Sequence, residues 1–156
     1  MAEPRHFLGS VTIDEVSLAP ATPEQEKERR VAVHDLLESN VFEPEGGPGG
    51  PYHLRIGLLE MRLDLDITGE GYAMRHLLSL MPFRRIVRDY LAICETHYQA
   101  TRNATANQIE AIDMGRRGLH NDGAALLRER LQGKVTTDVA TSRRLFTLLC
   151  ALHWRG

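Results

Sequence analysis

The hydrophobic pattern of residues 52–68 changes phase halfway along, and that change constrains the chain more than any other feature. Leu54, Ile56 and Leu58 fall on even positions, whereas Met61, Leu63, Leu65 and Ile67 fall on odd ones. Alternation at a period of two builds a strand with one apolar face. A tight two-residue turn keeps that face on one side of the paired strands only when the parity switches. The pattern therefore predicts a hairpin turning at Leu59-Glu60. A looser four-residue turn over Leu59 to Arg62 is the alternative, because Leu-Glu is poor turn chemistry. Arg55, Glu60, Arg62, Asp64 and Asp66 take the other face, solvated or covered by a partner. Asp64, Asp66 and Glu60 are also hard oxygen donors, but alternation alone puts charges there, and neither metal nor cofactor is expected.

Phe7, Gly9, Val11 and Ile13 alternate in the same way and predict a short strand. Thr22-Pro23-Glu24-Gln25 then supplies a helix start: a threonine cap, a proline at the first helical position and a glutamine three residues past the cap. The helix should run to about Ser39, burying Val33, Leu36 and Leu37 and keeping Glu26, Arg30 and Glu38 in water. Glu45 to Pro51, rich in glycine and proline, reads as a flexible loop. From Met74 onward the chain reads as helix. Residues 83–101 place Phe83, Ile86, Val87, Tyr90, Cys94, His97 and Tyr98 on one stripe. Thr105 with Gln108 opens the next helix through Ile109 and Ile112. Gly115 and Gly118 weaken its end, and Asn121 or Asp122 caps a further helix through Leu127 and Leu131. Gly133 stops that one. Thr136 or Thr137 caps the last helix, whose buried side is Val139, Phe146, Leu149 and Cys150.

These elements predict an α+β domain. A small antiparallel sheet with an N-terminal helix fills residues 1–70, and a C-terminal helical half fills residues 71–156. A length of 156 residues suits a single domain. With 42% hydrophobic and 26% charged residues, the composition excludes a disordered or collagen-like chain. The longest apolar run, Leu145 to Leu152 broken only by Thr147, is far short of the roughly 20 residues that cross a bilayer. The opening Met1-Ala2-Glu3-Pro4-Arg5-His6 has no apolar core, so no secretory signal is expected. Cys94 and Cys150 are too few for a disulfide framework or a zinc site. A cytoplasmic protein without a membrane partner is the expectation.

Three segments carry a resemblance: HLLSLMPFRRIVRDYLAICETHYQA (76–100), QIEAIDMGRRGLHNDGAALLRERL (108–131) and RRLFTLLCALHW (143–154). Together they resemble a family of uncharacterised alphaproteobacterial proteins of about this length. The resemblance is loose before Tyr52 and close after His76. It implies a single-domain cytoplasmic bacterial protein and no substrate, cofactor or catalytic residue.

Charge separates along the chain. Residues 1–81 carry 7 Lys+Arg against 14 Asp+Glu, and residues 82–156 carry 12 against 7. Arginine outnumbers lysine 17 to 2, so most cations are planar forks suited to carboxylate and phosphate. The strongest candidate site is Asp113, Arg116, Arg117 and His120, which share a helical face by steps of three and four, with Asn121 as the adjoining cap. Two guanidiniums beside an imidazole can grip an anion, and a helix beginning after Asn121 would add free N–H groups and its dipole. A salt-bridge ladder running into a glycine-rich turn explains the same residues without a ligand. Arg84, Arg85 and Arg88, with Arg143 and Arg144, form a second basic patch suited to a phosphate backbone or to solvent. No glycine loop precedes a helix in the order that phosphate-binding folds require.

The function expected from these features is a non-enzymatic binding or regulatory protein that presents its basic helical half to an acidic protein or RNA. The alternative is a small enzyme acting on a phosphate-containing substrate, with Arg116 and Arg117 as anion grips and His120 as acid or base. A homodimer is also expected, through the hairpin's edge or by acidic half against basic half.

Overall fold

A computed structural model describes residues 3–154; Met1, Ala2, Arg155 and Gly156 lie outside the described residues. In chain order the elements are β1 (Leu8–Ile13), α1 (Pro23–Glu38), β2 (Phe42–Pro44), β3 (Tyr52–Leu59), β4 (Arg62–Gly69) and β5 (Tyr72–Ser79). The helical half follows as α2 (Arg84–Asn103), α3 (Ala106–Arg130), β6 (Val135–Thr137) and α4 (Val139–Ala151). This is the α+β arrangement the sequence predicts, with three differences in detail.

The first concerns the sheet, which is mixed rather than antiparallel. Its order is β1-β3-β4-β5, and β1 lies parallel to β3. Parallel neighbours need a long crossover, usually a helix, and α1 provides it. The helix opens as read: Thr22 accepts from Gln25 N at 3.1 Å, and Gln25 Oε1 accepts from Thr22 N at 3.2 Å.

Strand boundaries supply the second difference. The hairpin turns at Glu60-Met61, one residue later than expected, with both residues at positive φ (48° and 61°) and Leu59 paired with Arg62. Residues 72–79 are not helical but form β5, joined to β4 through Glu70-Gly71, with Gly71 at φ 64°. The strand-rich part thus extends to Ser79. The core face of the sheet reads Leu54, Ile56, Leu63, Leu65, Ile67 and Leu78, all buried. The opposite face carries the pairs Arg55–Asp14 (3.1 Å), Arg75–Asp64 (2.9 Å) and Arg75–Asp66 (3.7 Å).

The loop over residues 45–51 has no regular structure, yet it is fastened rather than free. Gly49 N donates to Tyr52 Oη at 2.8 Å, Gly50 N to Arg5 O at 2.7 Å, and Tyr72 Oη to Glu45 O at 2.7 Å. A phenol on each side of a proline-rich turn therefore replaces the missing ladder.

The third difference is α3, one continuous helix of 25 residues that runs through Gly115, Gly118 and Asn121. Its start is the Thr105–Gln108 capping box. No helix starts at Asn121, so the anion-attracting N–H groups expected there are all inside α3. Beyond Gly133 (φ 81°) the chain forms β6, which pairs antiparallel with β2. Asp138, not Thr136 or Thr137, caps α4, accepting from Thr141 N at 2.8 Å. Val139 at the first position of α4 is 60% exposed rather than buried.

Two arginines tie α1 and α4 together end to end. Arg29, 3% exposed, donates Nε to Ala151 O (3.0 Å) and Nη2 to Leu152 O (3.1 Å), closing the C-terminus of α4. Arg144 donates to Ser39 O, closing the C-terminus of α1. Cations at helix C-termini satisfy orphan carbonyls and complement the dipole.

Glycines in α3 are not equivalent. A Cβ at Gly123 would sit 2.2 Å from Phe146 Cζ, whereas one at Gly118 would meet nothing within 4 Å. Gly118→Ala should stabilise the protein by about 0.5–1 kcal/mol through helix propensity. Gly123→Ala should destabilise it by roughly 1–3 kcal/mol through overpacking. Urea unfolding midpoints of the two variants check the pair; equal shifts would mean that α3 and α4 are not in contact at Phe146.

Candidate functional site

Asp113, Arg116 and Arg117 do meet, and the carboxylate is their centre. Asp113 Oδ1 accepts from Arg116 Nε at 3.1 Å and Nη2 at 2.6 Å, and Oδ2 lies 2.9 Å from Arg117 Nε. His97 of α2 lies 3.7 Å away across the helix pair. The Arg116 hydrogen bonds hold the Asp113 carboxyl below the usual carboxylate range, and they raise Arg116 in turn. Arg116 also reaches the Tyr90 hydroxyl. Burial pushes Tyr90 up, and burial likewise raises the neighbouring Cys94 and Cys150 thiols. A raised thiol is protonated at neutral pH and a poor nucleophile.

The fork pair therefore grips a side chain of its own helix. Arg116 is turned inward to Tyr90, while Arg117 lies along the surface, 69% exposed. His120 points elsewhere, toward α4. Its ring sits between Tyr90 and Phe146, with centroids 5.3 Å from each, and its Nε2 is 2.7 Å from Thr147 Oγ1. Thr147 donates its own proton to Arg143 O at 3.1 Å. Its oxygen is thus the acceptor for His120 Nε2–H, which sets the tautomer. Burial lowers His120, with Arg143 and Arg116 adding to the effect. The imidazole is thus packed between helices with its Nε2 engaged by Thr147, while Arg116 and Arg117 are gathered on Asp113.

The second basic patch is likewise distributed rather than gathered. Arg85 and Arg88 lie 4.0 and 3.5 Å from Asp89 on the exposed side of α2. Arg84 is exposed on the same helix, and Arg144 is turned to Ser39. Arg143 belongs with Asn121 instead. Both line a groove of about 630 Å³ between α3, β6 and the start of α4. Ala124, Ala125 and Arg128 continue its α3 wall, and Val139 and Ser142 its α4 wall. Arg128 reaches across the groove and donates Nε to Thr137 O at 2.9 Å.

The sequence reading overlooked Arg128. Its signal was present: Asn121, Ala124, Ala125 and Arg128 follow i, i+3, i+4, i+7, a helical stripe of small residues with a polar group at each end. A stripe without bulk leaves a channel along a helix, and the polar ends give it chemistry. No local pattern marks Arg29, because its role depends on carbonyls more than 120 residues away.

Two histidines make the fold sensitive to mild acid. Burial lowers both His120 and His76 from the ordinary 6.5. The unfolded chain therefore takes up protons first as pH falls, so stability is full above about pH 6.5 and declines below it. Asp113 and Asp138, held below 3.8, contribute only to a later loss at lower pH. Urea midpoints measured from pH 7.5 downward should start falling near pH 6.5. In His120→Gln the fall between pH 6.5 and 5 should be shallower than in the wild type. An unchanged slope would mean that His120 titrates normally in the folded protein.

Relatives of the chain extend over its whole length. A UPF0262 protein of Phenylobacterium zucineum is 61% identical over 155 residues, covering 99% of this chain and 98% of the relative. One from Caulobacter vibrioides is 59% identical with the same coverage, and one from Rhizobium meliloti is 55% identical over 151 residues, 96% of this chain and 95% of the relative. No solved structure matches the chain. The family model for the uncharacterised protein family UPF0262 matches residues 5–155, and this bacterial chain belongs to that family.

Proposed function

We propose that the protein is a non-enzymatic binding module whose working surface is the α3–β6–α4 groove, and that it takes an acidic segment of a partner protein. The carrying observation is the pairing of two guanidiniums with a small-residue floor: Arg128 and Arg143 flank Ala124 and Ala125. Arg128 is tethered by its Nε–H to Thr137 O, which leaves the planar fork oriented before any ligand arrives. Preorganised forks lose less freedom when a carboxylate docks. Glu129 is the acidic member of the lining, so the groove remains cationic.

Protein is favoured over RNA by what lines the groove. Single-stranded RNA is held largely by bases stacked on aromatic rings. Phe83, Tyr90 and Phe146 are buried in the core, and the groove wall carries alanine and valine in their place. The same reading puts the protein in the cytoplasm, in keeping with two free thiols and with no helix long and apolar enough to cross a membrane among the described residues.

Fluorescence anisotropy with a labelled glutamate-rich peptide and a labelled oligouridylate tests this reading. The peptide should bind at low salt and release as salt rises. Arg143→Glu combined with Arg128→Gln should weaken it at least about tenfold, roughly 1.4 kcal/mol, while Arg85→Glu on α2 should leave it nearly unchanged. Absence of peptide binding at low salt, or equal losses in both variants, would overturn the groove as the site. Preferential binding of the oligouridylate would replace the protein partner with RNA.

A further inference from the structure

Among the described residues the sheet edges differ in how they are guarded. The hairpin strands β3 and β4 have no edge, since β1 and β5 flank them. On β1, the Asn40 amide closes over Leu8 from outside: Oδ1 accepts from Leu8 N at 2.7 Å and Nδ2 donates to Leu8 O at 3.2 Å. The pairing of β1 is further broken by a register shift between Leu8 and Ser10. On β6, Arg128 takes Thr137 O and the backbone of Leu131 takes Val135 N. These are the devices by which proteins keep strand edges from pairing with other chains.

Nothing comparable covers β5 among the described residues. It is eight residues long, pairs with β4 without a register shift from Tyr72 to Ser79, and contains no proline. Its single charge, Arg75, already lies on Asp64 and Asp66 of its own sheet. The pair flanking a two-residue turn is hydrogen-bonded, and bonded pairs alternate along a hairpin. Tyr72, Met74, His76 and Leu78 therefore direct their backbone groups to β4, while Ala73, Arg75 and Leu77 turn theirs outward.

The geometry points to a second copy of this chain as the occupant of that edge, paired antiparallel about a two-fold axis through His76. Faces match between two antiparallel strands only when opposed residues share parity, which selects axes through a residue rather than between residues. With the axis at His76, Met74 opposes the partner's Leu78 on the core side. On the outer side Arg75 opposes Leu77, and Ala73 opposes Ser79. An axis at Arg75 would set two guanidiniums against each other. The register at His76 sets Met74 against Leu78 on the core side, His76 against its own copy, and no two arginines directly opposite. A two-fold contact also consumes the edge of both copies and closes, giving a continuous eight-stranded sheet and no further growth.

Sedimentation of the full chain tests this, together with two double variants whose new side chains lie far apart in one copy but adjacent across the axis. Ala73 and Ser79 are both exposed, so neither variant disturbs the core, and thermal melting confirms folding. The wild type should sediment at twice the chain mass. Ala73→Glu/Ser79→Glu, which sets like charges opposite one another twice, should weaken the dimer at least about tenfold. Ala73→Glu/Ser79→Lys, which sets opposite charges there, should retain it. A wild type that stays monomeric across the accessible concentrations, or two variants with the same oligomeric state, would overturn the proposal. The groove reading is untouched by either result, because its peptide titration reads a different surface.

Discussion

Contact between Phe146 and the bare backbone of Gly123 is the constraint on which the helical half depends. The Phe146 ring is fully buried and would lie 2.2 Å from any Cβ at residue 123. Residue 123 must therefore be glycine for α3 and α4 to approach this closely. Close approach is what places Thr147 under His120 Nε2 and the two rings of Tyr90 and His120 against Phe146. The groove adjoins this contact: its lining includes Ala124, next to Gly123 in the chain, and Ser142 and Arg143, one turn before Phe146 in α4. A helix gives up about 1 kcal/mol of propensity by carrying glycine in its interior; here the tertiary contact returns it.

Features that depend on a few adjacent residues were legible in the sequence. Thr22 with Gln25 and Thr105 with Gln108 each form the reciprocal cap expected of them, because a cap needs only four residues. Register was legible only up to parity. A turn at 59–60 opposes Leu58 with Met61, and a turn at 60–61 opposes it with Leu63. Both keep apolar against apolar, so the pattern admits either, and packing of Leu63 into the core selects the second. β5 was hidden for a different reason. Its residues Met74 to Leu78 are good helix formers, and the alternation of His76 and Leu78 toward the core becomes visible only with β4 beside it.

Glycine was the least legible residue of all. Gly115 and Gly118 lower helix propensity, and Asn121 is a favoured cap, so the local rules break α3 at this point. The 25-residue helix survives because neighbours on both sides hold it: Gly115 lets Ile93 of α2 approach to 3.0 Å of where its Cβ would be, and Gly123 does the same for α4. These glycines are contact surfaces rather than breakers. The candidate site was half legible in consequence. Steps of three and four put Arg116 and Arg117 on Asp113, as the spacing requires, but an unbroken α3 has no N-terminus there to attract an anion.

The arginine excess also acquires a physical meaning that composition alone lacks. Arg29, Arg128 and Arg144 each donate to backbone carbonyls at the end of a helix or the edge of a strand. Arg55, Arg75, Arg116 and Arg117 rest on carboxylates of this chain. A guanidinium is suited to both tasks because its donors are planar, fixed and never lost to deprotonation. Seven arginines thus act within the fold, and the charge asymmetry of the sequence overstates how much cationic surface is available. Arg128 donates only its Nε–H to Thr137, and with Arg143 it lines a groove that also holds Ala124 and Ala125, so there positive charge coincides with a concave wall, and concavity is what separates a site from a solvated face.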